Sequence, residues 1–270
     1  MGRVENKVAL VTGAARGMGR AHAVRLAAEG ADIIALDQCA PVATLQYPLA
    51  SRADLDETIR QVEAFDRRAI AVEQDIRDLD GMRTGVDAAV AELGGLDIVV
   101  GNAGICICAP WADMTPAMWT DTIDTNLTGA WHTVMVGAPH LVRRGGGSII
   151  LTSSVAGLKV QPYMVPYMAS KFGVTGLTKA FAAELAKDNV RVNSVHPTGV
   201  TTPMGEGGLM DAMQAAIAAN PRPAVAFTNM LPVDMLEAEE VANAVLFLAS
   251  DEAKSITSLH MTVDAGATSL

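Results

Sequence analysis

Short runs of aliphatic and β-branched residues alternate along this chain with longer stretches in which apolar positions recur at helical spacing. The short runs predict strands at Val8–Val11, Ile33–Leu36, Ile70–Glu73, Ile98–Gly101, Ser148–Thr152, Arg191–His196 and His260–Val263. Their centres are apolar without alternation, as expected for strands covered on both faces. The longer stretches predict helices near Arg20–Glu29, Leu55–Phe65, Met82–Glu92, Pro116–Val142, Pro166–Asp188 and Glu239–Ala249. Strand and helix taking turns is the pattern of a parallel sheet with crossover helices. The expectation is one α/β domain over residues 1–270, a doubly wound, seven-stranded parallel sheet flanked by helices. Two segments break the rhythm. Gln38–Arg52, rich in Pro, Ala and Leu, is expected to be an inserted decoration after the second strand. Thr201–Asp234, with clustered Gly, Pro and Met, is expected to be an irregular substrate lid.

Composition narrows the function classes. Half of the 270 residues are apolar, which suits a packed core rather than disorder. Thirty acidic residues outnumber 20 basic ones, a formal charge of −10 that argues against a nucleic-acid partner. No run is long and apolar enough for a membrane span, and the N-terminus lacks the layout of a signal peptide, so a soluble cytoplasmic protein is expected. Cys39, Cys106 and Cys108 are too few for a disulfide framework. Without His or Cys partners at zinc spacing, they are read as buried or pocket-lining thiols, with no metal.

The first strand runs into Thr12-Gly13-Ala14-Ala15-Arg16-Gly17-Met18-Gly19 and then a helix. Glycines in such a turn let the backbone approach a pyrophosphate set against the helix N-terminus. The predicted cradle is therefore Gly13, Arg16, Gly17, Met18 and Gly19. Asp37 ends the second strand, where a carboxylate accepts from an adenosine ribose diol and repels a 2′-phosphate. Arg16 pulls toward the extra phosphate, but Asp37 lies closer to where it would sit, so NAD is expected in preference to NADP. Asn102, Ala103 and Gly104 close the fourth strand at the same edge, and Asp75, with Ile76 beside it, is placed to meet the adenine.

Tyr167 and Lys171 stand at i and i+4, on one face of a helix. A nearby ammonium stabilises a phenolate, and an oxidised nicotinamide adds a second positive charge, which together make the phenol a general base. Ser154, ending the fifth strand, is placed to donate to the substrate oxygen. His132, His140 and His196 are not needed as bases when Tyr167 supplies one.

With these motifs in order, the chain resembles the classical short-chain dehydrogenase/reductase family along nearly its whole length. The serine precedes the tyrosine by thirteen residues, as in that family. The resemblance implies a Rossmann-type fold and hydride transfer at a carbinol carbon. It also implies roles for Asn126, the family's fourth catalytic residue, which holds a water linking the lysine to bulk, and for Pro197, Gly199, Val200 and Thr202 beside the nicotinamide. Three positions depart from the family pattern: Thr198, Ser258 and Ala265 stand where glycine is usual. The Gln38–Arg52 insertion and the His196-Pro197-Thr198-Gly199-Val200 run resemble the carveol-dehydrogenase-like branch, associated with the redox cofactor mycofactocin. That branch implies tightly held NAD regenerated by an external carrier, with the flap near Asp37 slowing its release.

The substrate side is expected to be apolar and sulfur-rich: Cys106, Cys108, Val155, Met164, Met204 and Met210, with Ile107, Leu209 and Met213 nearby and Trp111 more distant. Such walls suit a hydrophobic secondary alcohol, such as a cyclic terpenoid, or its ketone. Ala169, Gly173, Gly176 and Ala180 line a small-residue face of one helix, which suits either sheet packing or another subunit; the family implies a homotetramer. Two rival functions remain: an NADPH-dependent 3-oxoacyl-acyl-carrier-protein reductase, disfavoured by Asp37 and the lid's lack of basic residues, and a non-catalytic dinucleotide-binding regulator, disfavoured by the intact Asn–Ser–Tyr–Lys set.

Overall fold

The computed structural model describes residues 2–205 and 207–270; residue 206, inside the expected lid, lies outside the described residues. Seven strands, β1 Val8–Thr12, β2 Asp32–Asp37, β3 Ala69–Glu73, β4 Ile98–Gly101, β5 Gly147–Thr152, β6 Val190–Pro197 and β7 His260–Val263, form one sheet in the order β3-β2-β1-β4-β5-β6-β7. Every pairing is parallel, as the unalternating apolar strand centres require. The chain winds outward in one direction through β1, β2 and β3, then returns to β4 and winds the other way. The loops after β1 and β4 therefore diverge at the carboxyl edge, and that crevice is where such sheets take ligands.

Helices α1 Gly17–Ala28, α2 Arg52–Glu63 and α8 Ala238–Ala249 bury Ala23, Leu26, Leu55, Val62, Val245 and Leu248 on one face of the sheet. Helices α3 Leu79–Leu93, α5 Gly129–Arg144 and α6 Val165–Leu185 bury Met82, Val86, Val134, Leu141, Val174 and Ala182 on the other. Helices α1, α2 and α3 each start a turn earlier than the apolar pattern predicts, and for α2 and α3 capping is the reason. Ser51 accepts from Asp54 N while Asp54 accepts from Ser51 N, a reciprocal box that starts α2 at Arg52. Asp78 does the same for α3, accepting from Gly81 N.

The expected helix over Pro116–Val142 is interrupted. It divides into α4 Pro116–Ile123 and α5, joined by a wide turn over Asp124–Thr128 in which Gly129 N donates to Asp124 O, five residues back. The expected lid is also less irregular than predicted: it holds helix α7 Gly208–Ala219. Gly207 caps α7 at φ 64° without a side-chain hydrogen bond, so the sequence lacks the Ser, Thr, Asp or Asn that would signal a start. Of the small residues on α6, Ala169, Gly176 and Ala180 are exposed, as is Phe172, so this face is not the one that packs on the sheet. Among the described residues no helix is long and apolar enough to cross a membrane.

Candidate active site

A cleft with about 140 Å³ of accessible volume opens between the loops after β1 and β4. Gly13, Arg16, Gly17, Met18, Gly19, Asp37, Ile76, Asn102, Ala103, Gly104 and Thr202 line it, as the sequence predicts. The turn is tight enough that a Cβ on Gly19 would stand 1.8 Å from Gly13 O. Helix α1 begins without a side-chain cap, its N-cap Arg16 making none, so its first-turn N–H groups are left for a ligand. That donor set fits a pyrophosphate. Asp37 stands at the rim, its Oδ2 accepting from Ala15 N at 3.1 Å and its Oδ1 from Cys39 N at 3.1 Å, with lone pairs to spare for a diol. It is thus both a strand-end cap and a wall of the cleft.

Asp75 departs from expectation. Both its oxygens are held by the Arg77 guanidinium at 2.6 to 3.1 Å, and the cleft is lined on either side of it by Gln74 and Ile76 instead. Arg77, two residues on, is the partner that sequence reasoning overlooked. Pro197 ends β6, while Gly199 and Val200 lie against the segment before α8, with Leu236 N donating to Gly199 O at 2.8 Å. These three do not line the cleft wall. Thr198, in place of the family's glycine, donates its hydroxyl to Asn229 Oδ1 at 2.9 Å and so ties the strand end to the lid.

Beside the cleft, behind Gly104, β5, α6 and the turn before α5 bring Ser154, Tyr167, Lys171 and Asn126 together, none of the four lining the cleft wall itself. Lys171 Nζ donates to Thr152 O at 2.8 Å and stands 5.5 Å from the Tyr167 ring centroid. Burial pulls the Lys171 ammonium down to about 8. The phenol differs from expectation: burial pushes Tyr167 upward, and the Ser154 hydroxyl only partly opposes it. In the protein itself, desolvation of the phenolate is the largest influence. The Asn126 side chain locks the loop after β4, with Nδ2 donating to Ile105 O at 2.8 Å and to Ser170 Oγ at 3.1 Å while Oδ1 accepts from Ile105 N at 2.8 Å. A Cβ at Gly104 would stand 3.2 Å from Asn126 Oδ1 and 3.6 Å from Lys171 Nζ, so glycine there keeps the two close to the cleft.

Beyond Tyr167 lies an apolar cluster of Tyr47, Cys106, Cys108, Met164 and Leu209, with Met204, Met213, Leu45, Leu49 and Phe227 packed against it. Cys106 Sγ lies 3.3 Å from Met164 Sδ. Two substrate-side expectations change. Met210 is 38% exposed on the outer side of α7, because Leu209 and Met213 occupy its inward positions. Val155 is buried but sits outside this cluster.

The largest correction concerns Gln38–Arg52, which is a strap and not a decoration. Gln46 Nε2 donates to Cys108 O at 2.9 Å, and Cys108 N donates to Gln46 Oε1 at 3.2 Å. Cys106 N donates to the Tyr47 hydroxyl at 3.0 Å, Arg16 donates to Pro48 O, and Gly208 N of α7 donates to Gln46 O at 3.1 Å. The strap thus joins the glycine turn, the loop after β4 and the lid. One signal for it was present in the sequence: Tyr47 is one of only three tyrosines in the chain and stands in an otherwise aliphatic insertion. His132 and His140 stay outside the chemistry. His132 Nδ1 donates to Ile76 O at 2.8 Å, and His140 pairs with Asp87 at 2.6 Å.

This arrangement is that of a nicotinamide-linked dehydrogenase, and the comparisons agree. A family model described as short chain dehydrogenase matches residues 7–210. The chain belongs to the short-chain dehydrogenase family, whose members are NAD(P)-dependent oxidoreductases acting on CH–OH groups. It is 46% identical to the (−)-trans-carveol dehydrogenase of Rhodococcus erythropolis over 276 residues, 99% of each chain. The crystal structure of a short chain dehydrogenase from Mycobacterium paratuberculosis bound to NAD is 51% identical, with a TM-score of 0.98 over 100% of both chains. That of a carveol dehydrogenase from Mycobacterium avium in complex with NAD is 45% identical, with a TM-score of 0.93 over 100% of both. These relatives place the chain in the carveol-dehydrogenase-like branch.

Proposed function

We propose that the protein is an NAD-dependent dehydrogenase that interconverts a hydrophobic secondary alcohol of carveol type and its ketone. The observation that carries this reading is the packing of Tyr167 against a sulfur-rich apolar cluster, of which Tyr47, Leu49 and Met204 also line the cleft rimmed by Asp37. A carbinol seated against Cys106 and Met164 presents its oxygen to Tyr167 and Ser154. Ser154 Oγ donates to that oxygen, and Tyr167 takes the hydroxyl proton as the carbon–hydrogen bond breaks. When bound, oxidised nicotinamide would supply the hydride acceptor and a positive charge that favours the phenolate. Lys171 would add its own charge and help hold the cofactor, and Asn126 would hold the proton outlet. Gly13, Arg16, Gly17, Met18 and Gly19 would hold the pyrophosphate. Asp37 would hold the ribose diol and reject NADP.

The relatives solved with NAD support this cofactor choice, and the strap over the cleft supports slow release, with regeneration by an external carrier of mycofactocin type. Exposed Phe172 and Val165 on α6, and Trp131 and Met135 on α5, support association into a homotetramer. The charge of −10 supports a cytoplasmic protein without a nucleic-acid partner.

The test begins by denaturing the purified protein and assaying for released nicotinamide. Carveol is then added with and without an artificial electron carrier while absorbance of the reduced cofactor is followed. One turnover without carrier and many with it is the expected result. Free cycling with added NAD refutes tight retention, and no oxidation of carveol or other apolar secondary alcohols refutes the substrate class. Tyr167→Phe should lower turnover by at least about 100-fold while still binding NAD.

A further inference from the structure

The main-chain carbonyl of Ser154 falls beyond the reach of the sheet. The β5–β6 ladder ends at Thr152 opposite Val195, and Ser153 N makes the last bond, to Val195 O at 2.9 Å. Two residues further along β6 stands Pro197, which has no N–H to return to β5. A side chain takes over at this point. His196 Nδ1 lies 2.9 Å from Ser154 O, His196 Nε2 lies 2.8 Å from Ser194 Oγ, and Ser194 Oγ lies 2.8 Å from His260 Nδ1. His196 and Ser194 are wholly buried, and the two imidazoles meet edge to face with centroids 5.4 Å apart.

Chemistry fixes the direction of every hydrogen in this row. A carbonyl only accepts, so His196 Nδ1 carries a proton. Burial pulls His196 down to about 4, so at neutral pH its Nε2 is bare and accepts from the Ser194 hydroxyl. Ser194, having given its proton, accepts from His260 Nδ1. Both rings are thereby held as the Nδ1–H tautomer.

We propose that His196 is a positioning residue for Ser154, and that Ser194 and His260 lock its ring in the orientation this requires. The proposal rests on the reading that Ser154 donates to the substrate oxygen. Ser154 is extended, at φ −172° and ψ 165°, and its Oγ accepts from Ala156 N at 3.1 Å. The carbonyl held by His196 belongs to the Ser154–Val155 peptide, one link before the Ala156 N–H that meets the Ser154 hydroxyl. Rotation about the Ser154 ψ angle breaks both contacts at once and swings the hydroxyl relative to Tyr167. Small misplacements of a group at the reacting oxygen are costly in rate; besides His196, Gly157 N of the following turn donates to Ser154 O at 2.9 Å, and His196 is the hold that comes from the sheet.

The experiment has two arms on the full chain. In the first, side-chain nitrogen spectra of isotope-labelled histidine are recorded at neutral pH. His196 and His260 should both appear as Nδ1–H, and Ser194→Ala should release His260 from that form. An Nε2–H form of His196 in the wild-type protein overturns the proposal. In the second, oxidation of carveol with NAD and the artificial electron carrier is compared for Ser154→Ala, His196→Leu and His196→Asn, together with NAD binding and melting temperature. Asparagine puts an amide N–H where Nδ1 was. His196→Leu should lower kcat about tenfold to 100-fold with KM and NAD affinity within about twofold, and His196→Asn should recover kcat to within about threefold of wild type. Loss of kcat in Ser154→Ala with retention in His196→Leu, or equal impairment of the Leu and Asn variants, overturns the positioning role alone. Retention of kcat in Ser154→Ala overturns the role of Ser154 and the proposal with it. Should the Leu variant fail to fold, Ser194→Ala is measured in its place, and kcat within about twofold of wild type then overturns the locking role.

Discussion

The strap offers a sharp test, because two main-chain amides deep in the pocket wall depend on it alone. Cys108 N is bonded to the Gln46 side chain and Cys106 N to the Tyr47 hydroxyl. Gln46→Ala removes two hydrogen bonds, one in each direction with Cys108, and leaves the main-chain bond from Gly208 untouched. At about 1 kcal/mol net for each bond, the strap becomes easier to open by about 2 kcal/mol. Since 1.4 kcal/mol corresponds to a factor of ten, opening should become about 30-fold more frequent. Amide hydrogen exchange reads this directly, because exchange of a protected amide follows the local opening equilibrium. Cys108 should exchange about 30-fold faster in the variant, with Cys106 following if the strap lifts as a unit, while the amides of β4 keep their wild-type rates. Exchange at Cys108 within about threefold of wild type would refute the view that the strap holds the pocket wall. Where the strap also retains NAD, the cofactor's dissociation should quicken in the same proportion.

Other outcomes follow from particular residues. Ala265 at φ 50° and Ser258 at φ 61° occupy left-handed backbone where the family uses glycine. Relief of about 1–2 kcal/mol of strain at each, less about 0.4–1 kcal/mol of unfolded-chain entropy, predicts that Ala265→Gly and Ser258→Gly each stabilise the protein modestly. Thermal unfolding checks this, and a lower melting temperature would count against it. His22 and His196 are both pulled down to about 4 by burial, so the unfolded chain binds more protons than the folded one between about pH 4 and the ordinary histidine value of 6.5. Stability present above that window should therefore fall as the pH drops through it, by on the order of 3 kcal/mol per histidine. Urea titrations at several pH values should show less of this loss in His22→Gln than in wild type. Cys106→Phe should crowd the space beside Met164 and raise KM for carveol about tenfold, with NAD affinity unchanged; an equal rise for a small alcohol such as 2-propanol would place Cys106 outside the substrate wall.

The central strands were legible in the sequence because burial on both faces leaves an apolar signature that needs no tertiary knowledge, as in the wholly buried Ile98–Gly101; the edge strand His260–Val263 is found as predicted although it is only partly buried. The glycine turn and Asp37 were legible because a tight turn and a charge at a strand end are local requirements. What escaped notice depends on contacts far apart in the chain. Nothing in the composition of Gln38–Arg52 says that Gln46 meets Cys108, 62 residues away. The Asp75–Arg77 pair is the local exception: the two stand two residues apart, but spacing alone does not show that the side chains turn toward each other. Met210 and Leu209 are equally apolar neighbours, and only the orientation of α7 decides which one turns inward. The behaviour of Tyr167 was misjudged for a related reason. Charge proximity can be guessed from i and i+4 spacing, but desolvation depends on everything packed around the phenol.

The wide turn at Asp124–Thr128 holds one residue more than an ordinary helical turn needs. An α-helix advances about 100° per residue, so α4 and α5 run along a shared path but out of phase by about that angle. Trp119 and Trp131, twelve residues apart, therefore do not stand where one continuous helix would put them. Removing a single residue from the turn would restore the ordinary pitch and rotate all of α4 by more than a quarter turn about its axis, carrying the Asn126 side chain off the loop that it locks. In this segment residue count matters more than residue type: many substitutions leave the phase intact, whereas one deletion resets it.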